Sequence, residues 1–387
     1  MSAPAAPVWN ALSEEDRAWL WGASLRLAAA RPGAGLALVG GAVRDALLGN
    51  PVPPADLDVV VSGAALAELV PLLCPGAEVT WHPSFGNAAV RLSGGRSLDL
   101  IQARREVYPV PGQNPLPLPG TLADDLLRRD FSLNALALQV DAPGAALHLI
   151  DPAGGLADLA ARQLRPLHAL SLYEDASRLL RAARLAGRLG LMAHPELLAQ
   201  VPAAVAMAPQ TPRLWAEWRL LLGEPWPGRA AQALRAWGAE ELALPGLGPL
   251  FAELDTWRSE GRWVPAAVYA AALLWAAGDQ AELWGDRLGL GPGPLRLLQR
   301  SFQAQHGEGT PENLVRRLLR PDPYPPLSGQ DLLALGFQPG PLLGEALRWL
   351  QSRRDQGHFA GREQEAAALL AWMQSRGLGG ESEAQRP

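Results

Sequence analysis

No lysine occurs in this chain; all 34 of its basic residues are arginine. Cysteine is nearly absent as well. Cys74 stands alone, which excludes an internal disulfide and a cysteine-based zinc site. The six histidines are scattered without a His-x-x-x-His pair, which argues against a histidine-held metal. Net positive charge is also missing. With 39 acidic residues against 34 arginines the balance is -5, whereas surfaces that bind nucleic acid are basic. Any RNA binding therefore requires arginines gathered on one face. The N-terminus lacks a basic segment followed by an apolar run, and no uncharged stretch is long enough to cross a bilayer. A cytoplasmic protein is expected. Charged residues are few, at 19%, but 48% of the chain is hydrophobic, enough for buried cores and against disorder.

Gly, at 40 residues, and Pro, at 36, are abundant, alongside Ala and Leu. With arginine replacing lysine throughout, this reads as genomic bias, so one arginine carries less functional weight than usual. A length of 387 residues implies two to four modules. From Ser13, followed by Asp16 as an imperfect capping box, a helical pattern runs to about Ala30 and stops at Pro32-Gly33. A short apolar strand at Leu36–Val39 leads through Gly40-Gly41 into a helix from about Ala42 to Leu48. Asp56–Val61 alternates as a strand, Ala64–Leu73 reads as a helix, and Ala88–Leu92 with Ser97–Gln102 reads as a hairpin around Gly94-Gly95. Residues 109–120, rich in Pro and Gly, read as a loop; helices dominate from Leu122, and strand patterns all but vanish after about residue 155. Strands and helices mix without a strict βαβ rhythm. The expected fold class is α+β, an N-terminal mixed sheet followed by helices.

Four clusters carry chemistry. On a strand, Asp56 and Asp58 point the same way, roughly 7 Å apart at about 3.3 Å per residue. Such a pair shares one divalent ion or holds two about 4 Å apart. Asp99, flanked by Leu98 and Leu100, is a candidate third carboxylate. Alone, Asp-x-Asp more often marks a solvent-exposed strand end. Upstream, Gly40-Gly41 opens a helix and lets backbone N–H groups approach a phosphate, with Arg44 in the first turn; an ordinary strand–turn–helix corner has the same pattern. Leu127–Ala135 sets Arg128, Arg129, Asp130 and Asn134 in an apolar helical run. The Arg129 fork suits triphosphate oxygens and Asn134 a ribose hydroxyl, while a helix-terminal salt bridge is the plain alternative. Asp175, Arg178, Arg181 and Arg184, at three-residue intervals, drift slowly around one helix face. A solvated face is the commoner meaning of such a run. Three arginines with few nearby acids, however, make a positive stripe that an anion would stabilise.

In this order the clusters resemble the class II tRNA nucleotidyltransferases, the CCA-adding family of the DNA polymerase β superfamily. The likeness runs through Gly40–Asp45, Asp56–Asp58, Arg128–Ala135 and Glu174–Arg184. Asp151–Leu159 is similar to the family's linker into a helical neck, and Ser328–Leu332 with Gly340–Glu345 is similar to bacterial members, so the resemblance spans roughly residues 35–375. It implies a nucleotidyltransferase head at residues 1–140, a neck at 141–208, a helical body at 209–290 and a tRNA-binding tail at 291–377, before a disordered end at 378–387. It also implies addition of C, C and A to tRNA 3′ ends from CTP and ATP, with Mg²⁺, without a nucleic-acid template. Asp56 and Asp58 would bind two Mg²⁺ ions, one activating the tRNA 3′-hydroxyl and one neutralising the triphosphate, with Asp99 assisting deprotonation. Gly41, Arg44, Arg129, Arg181 and Arg184 would hold phosphates and sugar, with Asn134 on the nucleotide. Asp175 and Arg178 would act as a protein template. Cytosine and adenine each offer an amino donor beside a ring acceptor, matching a carboxylate beside a guanidinium. Uracil and guanine reverse that pattern and leave groups unpaired, a penalty of several kcal/mol, on the order of 10⁴-fold.

Within the family, the segment between Asp99 and Arg128 separates members. Those that add the final A carry a flexible loop there, which CC-only enzymes shorten. Ala103–Gly120 looks full length, and Arg105 and Glu106 supply the basic–acidic pair expected in it. CC-only addition is therefore disfavoured; addition of CCA, or of A alone beside a separate CC-adding enzyme, stays open. Bacterial poly(A) polymerase is the more remote reading, since His82–Asn87 stands where its Arg-rich run is expected. The family's last motif is only partly matched by Thr211–Arg219, where Arg213 and Glu217 are expected to support the neck rather than touch substrate. The tryptophans of the helical half read as packing residues. Arginines of Leu314–Arg320 and Arg348–Arg354 are candidates to grip tRNA phosphates, and equally fit a solvated face.

Overall fold

The computed structural model describes residues 5–50, 57–82, 86–92, 96–141, 147–242, 244, 246–303, 324–355 and 358–376. The chain forms two compact units, Met1–Ala243 and Leu244–Pro387.

The first unit opens with helices α1 (Ala5–Ala11) and α2 (Glu14–Ala30). Ser13 caps α2, its hydroxyl accepting from the Asp16 amide at 3.1 Å. Strand β1 (Gly35–Val39), helix α3 (Gly41–Leu47), strand β2 (Leu57–Ser62) and helix α4 (Leu66–Leu73) follow, then β3 (Glu78–His82), β4 (Asn87–Arg91) and β5 (Ser97–Gln102). Next come a separate ribbon, β6 (Arg104–Val107) with β7 (Leu116–Pro119), helix α5 (Leu122–Leu127), and strands β8 (Ala137–Gln139) and β9 (His148–Ile150). Seven strands form one mixed sheet in the order β3-β4-β5-β2-β1-β8-β9, in which only β2 and β5 are parallel neighbours.

Alternation along the strands decides where the chemistry sits. Leu57, Val59 and Val61 of β2, with Leu98 and Leu100 of β5 and Leu36 and Leu38 of β1, face one way into a large core shared with α2 and α4. Each such burial stabilises the fold by about 1.5–3 kcal/mol. The opposite face carries a smaller core, with Ala37, Val39 and Val60 in it. Asp58 and Asp99 alternate onto that second face.

Several details depart from the sequence expectations. The stretch at 109–120 is not all loop, because Leu116–Pro119 pairs with Arg104–Val107. Its two prolines fall at alternate positions, where a strand tolerates a missing N–H if that edge is unpaired. The run Leu127–Ala135 is not one helix: α5 ends at Leu127, and a short 3₁₀ turn occupies Ser132–Asn134. Strands also continue past Leu122, and β9 joins the sheet beyond residue 140.

The remainder of the unit is helical: α6 (Gly155–Ala160), α7 (Ser171–Glu174), α8 (Ser177–Leu189), α9 (Pro195–Met207), α10 (Leu214–Leu222) and α11 (Pro227–Ala236), with one pair of two-residue strands at Gln163–Leu164 and Met192–Ala193. Small residues let α8 lie hard against α11. A Cβ on Gly187 would meet the Ala230 amide nitrogen at 2.9 Å.

The second unit contains α12 (Leu247–Ser259), α13 (Ala266–Ala276), α14 (Ala281–Leu288), α15 (Pro292–Gln303), α16 (Gly329–Ala334), α17 (Pro341–Asp355) and α18 (Arg362–Ser375). Leu332, Leu350, Leu369 and Trp372 build a core of their own in its last part. No helix among the described residues is long and apolar enough to cross a membrane. Residues 314–320 lie outside the described residues. Arg348 and Arg353 are exposed, but the Arg354 side chain, only 7% exposed, is ion-paired with the buried Glu365. The partner comes from α18, which sequence spacing along α17 does not reveal.

Candidate active site

Three chain segments meet at one end of the sheet. Because β1 and β2 are antiparallel, the exit of β1 lies beside the entry of β2. The start of β8 lies beside the exit of β1 on its other side, and the Gly40 amide donates to the Leu136 carbonyl at 3.2 Å. Gly40 has φ +71°, and a Cβ there would sit 2.9 Å from Arg129 Nη1 and 3.5 Å from Asp58 Oδ2. Only glycine allows this turn and this approach together. Asp58 and Asp99 are register partners on the parallel pair β2 and β5, so the two carboxylates stand side by side, about one strand spacing of 4.8 Å apart at the backbone. Hard carboxylate oxygens in this arrangement fit a divalent cation. Asp56 lies outside the described residues, and among the described residues no three His, Cys, Asp or Glu side chains converge as a metal site.

Asp58 borders two clefts. The first, about 400 Å³, is lined by Gly41, Glu106, Arg129, Asn134, Asp175, Arg178 and Arg181 among others. Six arginines and four carboxylates line it, a balance that favours a polyanion. The second, about 710 Å³, is lined by Arg44, Asp99 and Arg184. Arg105 is exposed and lines neither.

In the first cleft, Arg129 Nη2 donates to the buried Asp125 at 3.0 Å, while its Nε is buried without a partner. Arg213 Nε and Asn87 Oδ1 are likewise buried without partners, and both residues line the same cleft. Buried polar atoms left unmatched are costly, and three of them around one basic cleft point to a polar ligand. Asp175 and Arg178 are both buried, between α7 and the first turn of α8. Asp175 Oδ1 accepts from the Ser177 amide at 3.1 Å, and its Oδ2 lies 3.1 Å from Arg213 Nη2 and 3.8 Å from Arg178 Nε. Arg178 Nη1 donates to Ser171 Oγ at 2.6 Å and Nη2 to the Tyr108 hydroxyl at 3.1 Å.

Arg44, Asn134, Arg181 and Arg184 belong to one chain of alternating groups. Arg44 makes a two-point contact with Asp45, at 2.8 Å each, and Nη1 donates to Asn134 Oδ1 at 2.6 Å. Asn134 Nδ2 donates to Asp130 at 2.9 Å, and Asp130 accepts from Arg181 Nη1 at 3.0 Å. Glu217 accepts from Arg181 at 2.5 Å and from Arg184 at 2.5 Å, and Arg184 Nε donates to Glu224 at 3.0 Å. Burial by itself would raise the Asp130 carboxyl; the Arg181 charge and the hydrogen bond from Asn134 outweigh it and hold it below the ordinary value. The partial burial of Arg181 would lower it, but the Asp130 and Glu217 carboxylates outweigh that and hold it above its ordinary value.

This corrects the expectation of a positive stripe short of acids. The acids come from α10 and the turn after it, more than thirty residues along the chain, and neutralise Arg181 and Arg184. Glu217 supports the helices, as the sequence suggested. Arg213 does more than that, since it touches Asp175 and lines the cleft. Tyr108 was missed altogether; as an aromatic in a Pro-rich stretch it carries no motif.

Residues 36–165 match the family described as the poly A polymerase head domain. The whole chain is similar to the CC-adding tRNA nucleotidyltransferase of Deinococcus radiodurans, 53% identical over 368 residues, covering 95% of this chain and 96% of that protein. An A-adding tRNA nucleotidyltransferase of Aquifex aeolicus is 46% identical over 154 residues, only 39% of this chain and 18% of that protein. A solved CCA-adding enzyme in an apo form has the same fold, with a TM-score of 0.64 at 22% identity over 95% of this chain and 98% of that one. The Deinococcus relative adds CC, the variant of the activity that the length of residues 103–120 had argued against. With near end-to-end identity above half, the chain belongs to the tRNA nucleotidyltransferases.

Proposed function

We propose that this nucleotidyltransferase adds C residues to the 3′ end of tRNA from CTP, in the cytoplasm, building the CC of the terminus with Mg²⁺ as its metal. Enzymes of this kind depend on a divalent cation in general; Mg²⁺ is the specific assignment. One observation carries the product: the likeness to a CC-adding relative is end to end, whereas that to an A-adding relative covers two fifths of the chain. A second reading is complete CCA addition from CTP and ATP, favoured by the uncut segment 103–120 with Arg105 and Glu106.

The same residues serve either product. Mg²⁺ bound at Asp56 and Asp58 would supply Lewis-acid activation of the 3′-hydroxyl and charge neutralisation of the triphosphate. Asp99 takes up the hydroxyl proton from its place beside Asp58. Arg129 and the backbone at Gly40-Gly41 hold the triphosphate oxygens. Arg44 and Asn134 position the sugar-binding edge, and Arg181 and Arg184, tied to Glu217, keep that edge fixed to the helices. Asp175 and Arg178 read the base, accepting from its amino group and donating to its ring nitrogen. The sheet-bearing region acts as catalytic head, residues 141–208 as neck, 209–290 as body and 291–377 as the tRNA-gripping tail. Asp58→Ala should cut labelled CMP incorporation into tRNA by at least about 10³-fold; full incorporation at saturating Mg²⁺ would sink the scheme.

A further inference from the structure

We infer that Tyr108 is a resident acceptor for the base-reading arginine: in the empty enzyme its phenol oxygen holds the Arg178 N–H that an incoming base takes over. This rests on the reading of Arg178 as a base contact. The Tyr108 oxygen accepts from Arg178 Nη2 at 3.1 Å, and its ring centroid lies 5.7 Å from Arg178 Cζ and 5.8 Å from Arg213 Cζ. Its neighbours on Arg178 are fixed groups. Nη1 is held by Ser171 Oγ at 2.6 Å and the Ser171 carbonyl at 3.3 Å, and Ser171 is fully buried at the start of α7. Nη2 also points to the Arg128 carbonyl at 3.5 Å, in the cap of α5. These acceptors cannot leave without unpacking a helix.

Tyr108 can leave. It follows the end of β6 and stands in the wall between the first cleft and a neighbouring one of about 390 Å³, lining both. The far cleft gives the ring room to turn away. The segment beyond it is tied to the helices, with Gly112 N donating to the Glu174 carbonyl at 2.9 Å and Arg213 Nη2 to the Gln113 carbonyl at 3.3 Å. Arg213 also holds Asp175, so both base-reading groups feel where Tyr108 sits.

The thermodynamic consequence is an exchange. A base with a ring acceptor replaces the phenol on Arg178, one hydrogen bond for another, and gains little net. A base presenting an N–H displaces the phenol and gains nothing. Since the phenol leaves in both cases, Tyr108 weakens the binding of every base equally and leaves selectivity to Asp175 and Arg178. Tyr108→Phe removes only the oxygen. Equilibrium binding of CTP and of UTP to the full chain with Mg²⁺ should then tighten about tenfold for both, the worth of one hydrogen bond to a charged group, with their ratio unchanged. Weaker or unchanged CTP binding, or an altered CTP-to-UTP ratio, would overturn the inference, because a tyrosine that merely props Arg178 gives those results. Arg178→Ala separates the two levels: if it keeps the CTP-to-UTP ratio, the base-reading role itself falls, whatever Tyr108→Phe does.

Discussion

Glu217 is the carboxylate on which the helical part of the site depends. Its side chain is 3% exposed and accepts from both Arg181 and Arg184. Glu217→Ala leaves two guanidinium groups short of a partner. Breaking a buried ion pair by removing one member costs about 3–5 kcal/mol. Here the figure is discounted twice. Arg181 is 42% exposed, so water screens much of its loss, and it keeps Asp130. Arg184, at 12% exposed, carries more of the cost but keeps Glu224. About 2–3 kcal/mol remains, which corresponds to roughly 30- to 150-fold in the opening equilibrium. Amide hydrogen exchange of α8, read by mass spectrometry, measures that opening locally. Exchange across residues 177–189 should accelerate by about this factor, with β1 and β2 less affected. Exchange in α8 unchanged from wild type would show that the alternating chain does not hold α8 to α10, and would refute the reasoning.

Two further outcomes follow from the same geometry. Asp130 has its carboxyl held below its ordinary 3.8, so its stabilising contribution is complete above about pH 4 and is lost as the pH falls through the lower folded value. Wild type should therefore lose stability more steeply than Asp130→Asn on acidification below about pH 4, in urea titrations at a series of pH values; parallel curves contradict this. Gly40→Ala forces a side chain onto a backbone at φ +71° and drives its Cβ to 2.9 Å from Arg129 Nη1. The displacement of Arg129 should lower kcat/KM for CTP by about 10- to 100-fold, while Gly248→Ala in α12, where a Cβ meets nothing within 4 Å, should not; equal effects would remove the argument.

The head was legible because its signals are local. Alternation placed Asp58 opposite the Leu57 and Val59 face, Gly40-Gly41 marked the turn into a helix, and Ser97–Gln102 read as the strand whose parallel pairing with β2 brings Asp99 next to Asp58. What stayed hidden depends on distant pairing. Glu217 and Glu224 reach Arg181 and Arg184 from more than thirty residues along the chain, beyond the whole of α9, so spacing along α8 alone made those arginines look unneutralised. Arg213 and Tyr108 converge on Arg178 or Asp175 from separate parts of the chain, with no periodicity to mark them. The Leu116–Pro119 strand was concealed because its prolines read as loop, although all four residues find register partners in Arg104–Val107. The segment between Asp99 and Arg128 is of full length in the sequence, but that its ends are held, as a ribbon of Arg104–Val107 with Leu116–Pro119 and a turn tied to the helices, depends on Glu174 and Arg213 far along the chain.

The most direct test of the central claim gives the purified enzyme tRNA ending at the discriminator base, at C, and at CC, each with CTP, with ATP, and with both, in Mg²⁺, and resolves product lengths on a sequencing gel. Extension of the first substrate by two residues and of the second by one, from CTP alone, is the predicted result, with the CC-ending tRNA left unextended by ATP; AMP joined to the CC-ending tRNA would contradict the assignment.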